Sequence, residues 1–173
     1  MKWIAGALAA AGLGSVPASA GAQAVLGSDA AACAGGGPAI RVAIVGLKDR
    51  TGRLKLELYP ATEDDFLKDD TALVREGKTF RRVWAAVPPH GEAAMCIRVP
   101  GPGRYALLFT HDRDGKNKFN FWRDGAGFAG NAKLGRSRPK LANATIAVGR
   151  GVTAITIRVQ YLRGLSGFGP VGD

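Results

Sequence analysis

Asp112, Asp114 and Asn120 stand at the first, third and ninth positions of the run Asp112-Arg113-Asp114-Gly115-Lys116-Asn117-Lys118-Phe119-Asn120. That is the oxygen spacing of a calcium loop, in which hard oxygen ligands wrap one ion. Two positions depart from the pattern. Lys116 stands fifth, where an ammonium replaces a ligand, and Arg123 stands twelfth, where a bidentate Glu is expected. His111 precedes Asp112, so the same stretch also allows a metal-dependent hydrolase that uses His111, Asp112 and Asp114. His90, the other histidine, lies in a Pro88-Pro89-His90-Gly91 turn. No Ser or Cys occupies a nucleophile elbow, and no catalytic residue is assigned. Gly125-Ala126-Gly127-Phe128-Ala129-Gly130 has the letters of a dinucleotide fingerprint, but it opens no helix and no βαβ unit surrounds it.

A second chemistry overlaps the first. Lys116, Lys118, Trp122 and Arg123 mix cations with an aromatic, a combination suited to sugars, lipid head groups or stacked bases. Phe119 and Phe121 between them are expected to pack the loop onto a sheet. The formal charge is +10, and it is lopsided. Residues 1–96 hold eleven Lys/Arg against ten Asp/Glu, whereas residues 97–173 hold thirteen against four. A one-sided basic field favours an anionic partner. The expected partner is an anionic envelope component, or another envelope protein, and not nucleic acid. Glu63, Asp64, Asp65, Asp69 and Asp70 form an acidic cluster that reads as a solvated face.

The elements that must position these residues are strands. Ile40, Val42 and Ile44 alternate with Arg41 and Ala43, and Leu54, Leu56 and Leu58 alternate with Lys55 and Glu57. This period of two marks half-buried strands, and the turn at 48–52 suggests that the two form a hairpin. Further strands are expected at 80–87, 95–99, 105–109, 144–148 and 153–161, with a Gly-rich tail from Arg163 that frays. About seven short strands and no useful amphipathic helix predict a single antiparallel β-sandwich over 39–162. Its loop at 111–142 is unusually long and therefore a candidate for function.

Lys2, an apolar run from Trp3 to about Leu13, and Pro17-Ala18-Ser19-Ala20 have the form of a signal peptide cut after Ala20 or Ala24. Residues 21–38, with Gly35-Gly36-Gly37-Pro38, read as a flexible lead-in. No remaining segment is long and apolar enough for a transmembrane helix. These features predict a periplasmic or secreted protein of a Gram-negative bacterium. In an oxidising compartment the two cysteines, Cys33 and Cys96, are expected to pair. The strand phase sets Cys96 opposite Met95 and Ile97, so the bond would clip the N-terminal segment to the outside of a sheet. Ala30-Ala31-Ala32-Cys33 leaves lipid attachment as an alternative, although the usual Leu is missing.

Val99-Pro100, Gly103-Arg104-Tyr105-Ala106, His111-Asp112, Gly115, Lys118, Gly127-Phe128 and Asn131 resemble the bacterial family called domain of unknown function 2141. The resemblance covers about residues 38–161 and is strongest at 99–131. It implies an exported β-rich domain without assigned activity. The Gly103-x-Tyr105 entry also looks like that of prealbumin-like and Ig-like sandwiches. The family tends to carry an Asn-rich acidic run after His-Asp, where this chain has Lys116 and Asn120, and a Pro-x-Glu-Gly segment that this chain lacks.

Overall fold

The computed structural model describes residues 24–172, so the signal-peptide reading of residues 1–20 lies outside the described residues. Eleven strands run in the order β1 (Val25–Leu26), β2 (Ala39–Val45), β3 (Arg53–Pro60), β4 (Arg81–Ala86), β5 (Ala93–Arg98), β6 (Gly103–Asp112), β7 (Gly125–Phe128), β8 (Thr145–Val148), β9 (Val152–Arg158), β10 (Gln160–Leu162) and β11 (Phe168–Pro170). Two short helices intervene, α1 (Asp70–Arg75) and α2 (Leu141–Ala144), with a 3-10 turn at Ala30–Cys33. Among the described residues, no helix is long and apolar enough to cross a membrane.

The strands form two facing sheets. A four-stranded sheet has the order β1-β5-β2-β9, and a seven-stranded one has β11-β10-β7-β6-β3-β4, with β8 pairing the start of β6. Pairing is mostly antiparallel, but β1 with β5 and β2 with β9 are parallel. The all-β sandwich is as expected, with more strands than the alternation suggests and with β2, β3 and above all β6 longer than their apolar runs.

The 40–44 and 54–58 runs do not form a hairpin. β2 pairs β5 and β9 in the small sheet, whereas β3 pairs β4 and β6 in the large one. Ile40, Val42 and Ile44 therefore meet Leu54, Leu56 and Leu58 across the core instead of along a ladder. The 153–161 run is also divided. β9 stays parallel to β2 through Arg158, Val159 N still donates to Val45 O at 2.9 Å, and Gln160 then pairs Ala126 in the large sheet. Side-chain alternation continues through the switch, so the sequence shows one strand. The tail does not fray: β11 pairs β10 and buries Phe168.

A second apolar cluster covers the outer face of the large sheet. Tyr59, Ala106, Ala126 and Phe128 from the strands pack against Phe66 and Leu73 from residues 61–80. The acidic cluster is thus only partly a solvated face. Glu63 and Asp64 are exposed, but buried Asp65 accepts from Lys78 Nζ at 2.6 Å and from Thr62 Oγ1 at 2.8 Å. Asp69 caps α1 through Ala72 N, and Asp70 pairs Arg82 at 2.6 Å. The lead-in is also built into the fold. Val25–Leu26 extends the small sheet, and Cys33 is bonded to Cys96, whose side chain is buried on the face away from Met95 and Ile97.

Candidate functional site

Alternation along β6 separates His111 from Asp112. Leu54 stands opposite His111 and points into the sandwich; Arg53 stands opposite Asp112 on the outer face. His111 is fully buried, with Nε2 at 2.8 Å from Thr51 O and Nδ1 at 2.7 Å from the Tyr161 hydroxyl. A carbonyl only accepts, so Nε2 carries the proton and Nδ1 accepts from the Tyr161 O–H. Burial lowers the His111 pKa against the opposing pull of the Thr51 carbonyl, and burial likewise pushes the Tyr161 hydroxyl up to about 12. Both ring nitrogens are engaged in tying the Thr51 turn to β10. The structure therefore does not bring His111 into a catalytic set with Asp112 and Asp114.

The carboxylates do converge. Asp112, Asp114 and Asp124 each offer an oxygen, and these oxygens lie within 4.8 Å of one another. The loop is folded to deliver them. Asn117 N donates to Asp112 Oδ2 at 3.1 Å, and Lys116 N to Asp114 Oδ1 at 3.2 Å. Asn117 takes a φ of 64° at the sixth loop position, where calcium loops use Gly for the sharp turn. Asn is among the few other residues that adopt this conformation readily. Asn120 Nδ2 donates to Asp114 Oδ2 at 2.9 Å, and Asn120 O accepts from Arg123 N and Asp124 N in a tight turn. That turn returns Asp124 to the site, where its two oxygens accept from Arg113 N and Asn120 N.

Both departures from the loop pattern have structural answers. The Lys116 side chain is exposed, so its ammonium is not a member of the buried set. The twelfth position holds no carboxylate, but Asp124 at the thirteenth joins the cluster, which the fixed spacing does not reveal. Arg53 is the other residue the spacing misses: its Nε meets Asp112 Oδ2 at 2.9 Å. Only the strand register shows that these residues are neighbours.

The electrostatics favour a cation. Among the described residues, Arg53 makes the close ion pair of the cluster, with Asp112, while Lys116, Arg123 and Arg113 act on Asp114 and Asp124 only at longer range. Arg113 is occupied elsewhere by Asp49, whose pKa it lowers well below the usual carboxylate range. At about 4 Å, two like charges repel by about 4 kcal/mol at an effective dielectric constant near 20. The Asn120 amide holds Asp114 below its ordinary pKa, with lesser help from Lys116 N–H and from the nearby Lys116 and Arg123 charges. Asp112 is 2% exposed, and its Oδ1 is the one buried side-chain polar atom without a partner among the described residues. A buried carboxylate oxygen left without a donor is costly. An oxygen-only donor set suits calcium or another hard cation.

Lys116, Lys118, Trp122 and Arg123 are all exposed on this loop, Trp122 at 79%. Phe119 and Phe121 are half exposed and rest on Phe168 of β11, with ring centroids 5.9 Å and 4.9 Å away. They pin the loop to the strand tail and leave the cations and Trp122 facing solvent.

A family described as "Uncharacterized protein conserved in bacteria (DUF2141)" matches residues 42–156. No curated protein and no solved structure matches the chain.

Proposed function

The chain belongs to that bacterial family, and we propose that it is a non-enzymatic, exported binding module with a cation-stapled loop. A divalent cation, calcium by the hardness of the donors, is held by Asp112, Asp114 and Asp124, with Asn120 bracing Asp114 through its Nδ2 while its Oδ1 accepts from Trp122 N. The loop so fixed presents Lys116, Lys118, Trp122 and Arg123 to an anionic envelope component. The observation that carries the reading is the convergence of three carboxylates on a site where buried Asp112 Oδ1 has no donor. The Cys33–Cys96 bond supports export, because such bonds persist outside the cytoplasm. The engagement of both His111 nitrogens argues against the hydrolase alternative.

The test is a thermal melt of protein stripped with chelator and titrated with calcium or magnesium. At free calcium about 100-fold above Kd, linkage predicts about 2.7 kcal/mol of stabilisation, a rise of several degrees in Tm for a domain of this size. Asp124→Asn should lose most of that rise. A calcium-independent Tm in the stripped wild-type protein would overturn the cation site.

A further inference from the structure

A cavity of about 380 Å³ lies on the outer face of the large sheet, walled by residues 67–70 and by Phe119 and Pro139 of the 111–142 loop. Its floor is two rows of side chains set by strand register. One row is Lys55, Thr110 and Ala126; the other is Glu57, Leu108 and Phe128. Leu67 and Phe119 wall it from the two covering segments. Lys68, Asp69, Asp70 and Arg82 also line it, but Lys68 pairs Glu76 and Asp69 caps α1, and the volume lies at the small end of ligand sites.

The polar end is unequally satisfied. Glu57 is 3% exposed and is held by Arg82 at 2.6 Å, and Arg82 in turn binds Asp70 at 2.6 Å. Lys55 is 6% exposed, yet its Nζ meets Glu57 only at 3.3 Å. The ring of Trp84, 5.5 Å from Nζ, is also covered by Arg53 at 4.0 Å. Glu57 therefore has two cations, and Lys55 has one distant share of a carboxylate. An ammonium carries three donors, and one carboxylate oxygen at 3.3 Å leaves most of that capacity facing the cavity. The spare capacity at this end is thus for an acceptor, with the Thr110 hydroxyl beside it.

We infer that the cavity binds a small monocarboxylate with an apolar body, its carboxylate on Lys55 Nζ and Thr110 and its chain or ring against Leu108, Phe119, Ala126 and Phe128. Two carboxylate oxygens supply what Lys55 lacks, and the apolar walls take the rest of the molecule out of water. The site is separate from the cation cluster, although one loop contributes to both.

The probes are decanoate and decanol, below their aggregation concentrations, titrated calorimetrically into the full mature protein in calcium-containing buffer. Decanoate should bind saturably at one site per chain and more tightly than decanol. Lys55→Met should weaken decanoate by about tenfold and leave decanol little changed, since a charge-assisted bond is lost. Ala126→Phe should abolish binding of both by filling the cavity. Far-UV circular dichroism checks that each variant folds, and if Lys55→Met does not fold, Ala126→Phe decides. No saturable decanoate binding, equal affinity for the two probes, or undiminished binding by Ala126→Phe overturns the proposal.

Discussion

Gly127 lets β9 cross close over β7. A Cβ there would lie 2.3 Å from Ile157 Cγ2 and 3.1 Å from Arg158 O, although the backbone conformation itself would accept any residue. Gly127→Ala should therefore destabilise by overpacking, by about 1–3 kcal/mol. If the clash with Ile157 is the cause, Gly127→Ala should cost much less in an Ile157→Ala background. Additive losses in that double-mutant cycle, read from denaturant melts, would refute the account. Asp29 gives a second test at this scale. Buried Asp29 is paired with Arg81 and also accepts from Arg98 N at 2.9 Å, and the Arg81 bond lowers its pKa despite the opposing effect of burial. A carboxylate depressed in the folded state stabilises above its unfolded pKa of about 3.9 and loses that contribution as pH falls through the lower folded value. Arg81→Gln should thus melt below wild type at pH 7, with the gap closing as the pH is taken below 3.9. A gap unchanged across that range would remove the pair from the acid-stability account.

At the scale of elements, the disulfide joins the 3-10 turn at Ala30–Cys33 to β5, while β1 adds a parallel edge to the same strand. The chain-entropy model assigns a loop of this length about 4 kcal/mol, less any strain. The core between the sheets does not depend on it, because Cys96 lies on the other face of β5. Reduction should therefore lower Tm by several degrees and leave the far-UV spectrum of the folded sandwich; collapse of the fold at 25 °C on reduction would contradict this. The same elements show what the sequence could reveal. Period-two alternation located β2, β3 and β5 and put Cys96 on the correct side of β5, because face assignment is a local property, and a run apolar on both faces located β6. Alternation could not show that β2 and β3 belong to different sheets, because pairing partners leave no mark on the alternation of either strand. Asp112, Asp114 and Asn120 were legible by spacing. Asp124 was not, since the turn after Asn120 changes the count, and Arg53 lay fifty-nine residues away from Asp112. Phe168 was misread for a related reason: a Gly-rich tail looks mobile until Phe119 and Phe121 are found resting on it.

For the whole molecule, the decisive property is where the positive charge sits. The excess belongs to residues 97–173, whose thirteen Lys/Arg face only four Asp/Glu, and three of those four form the loop cluster. A divalent cation there would cancel the one concentrated negative site of this half and leave Lys116, Lys118 and Arg123 projecting beside exposed Trp122. Calcium should accordingly strengthen, not weaken, adhesion to a polyanion. On a heparin or lipopolysaccharide surface, retention should be highest at low salt with calcium and fall steeply towards physiological ionic strength, where the Debye length is about 8 Å. Replacing Lys116, Lys118 and Arg123 together by Ala should shorten retention far more than replacing Arg75, Arg104 and Arg150. The control set removes the same formal charge, and two of its members, Arg104 and Arg150, sit at the start of β6 and in the turn after its partner β8, at the end of β6 away from the loop. Equal loss from the two triple variants would mean that net charge alone holds the protein to the surface. That outcome would remove the 111–142 loop as the docking site, and salt-independent retention would remove the anionic partner altogether.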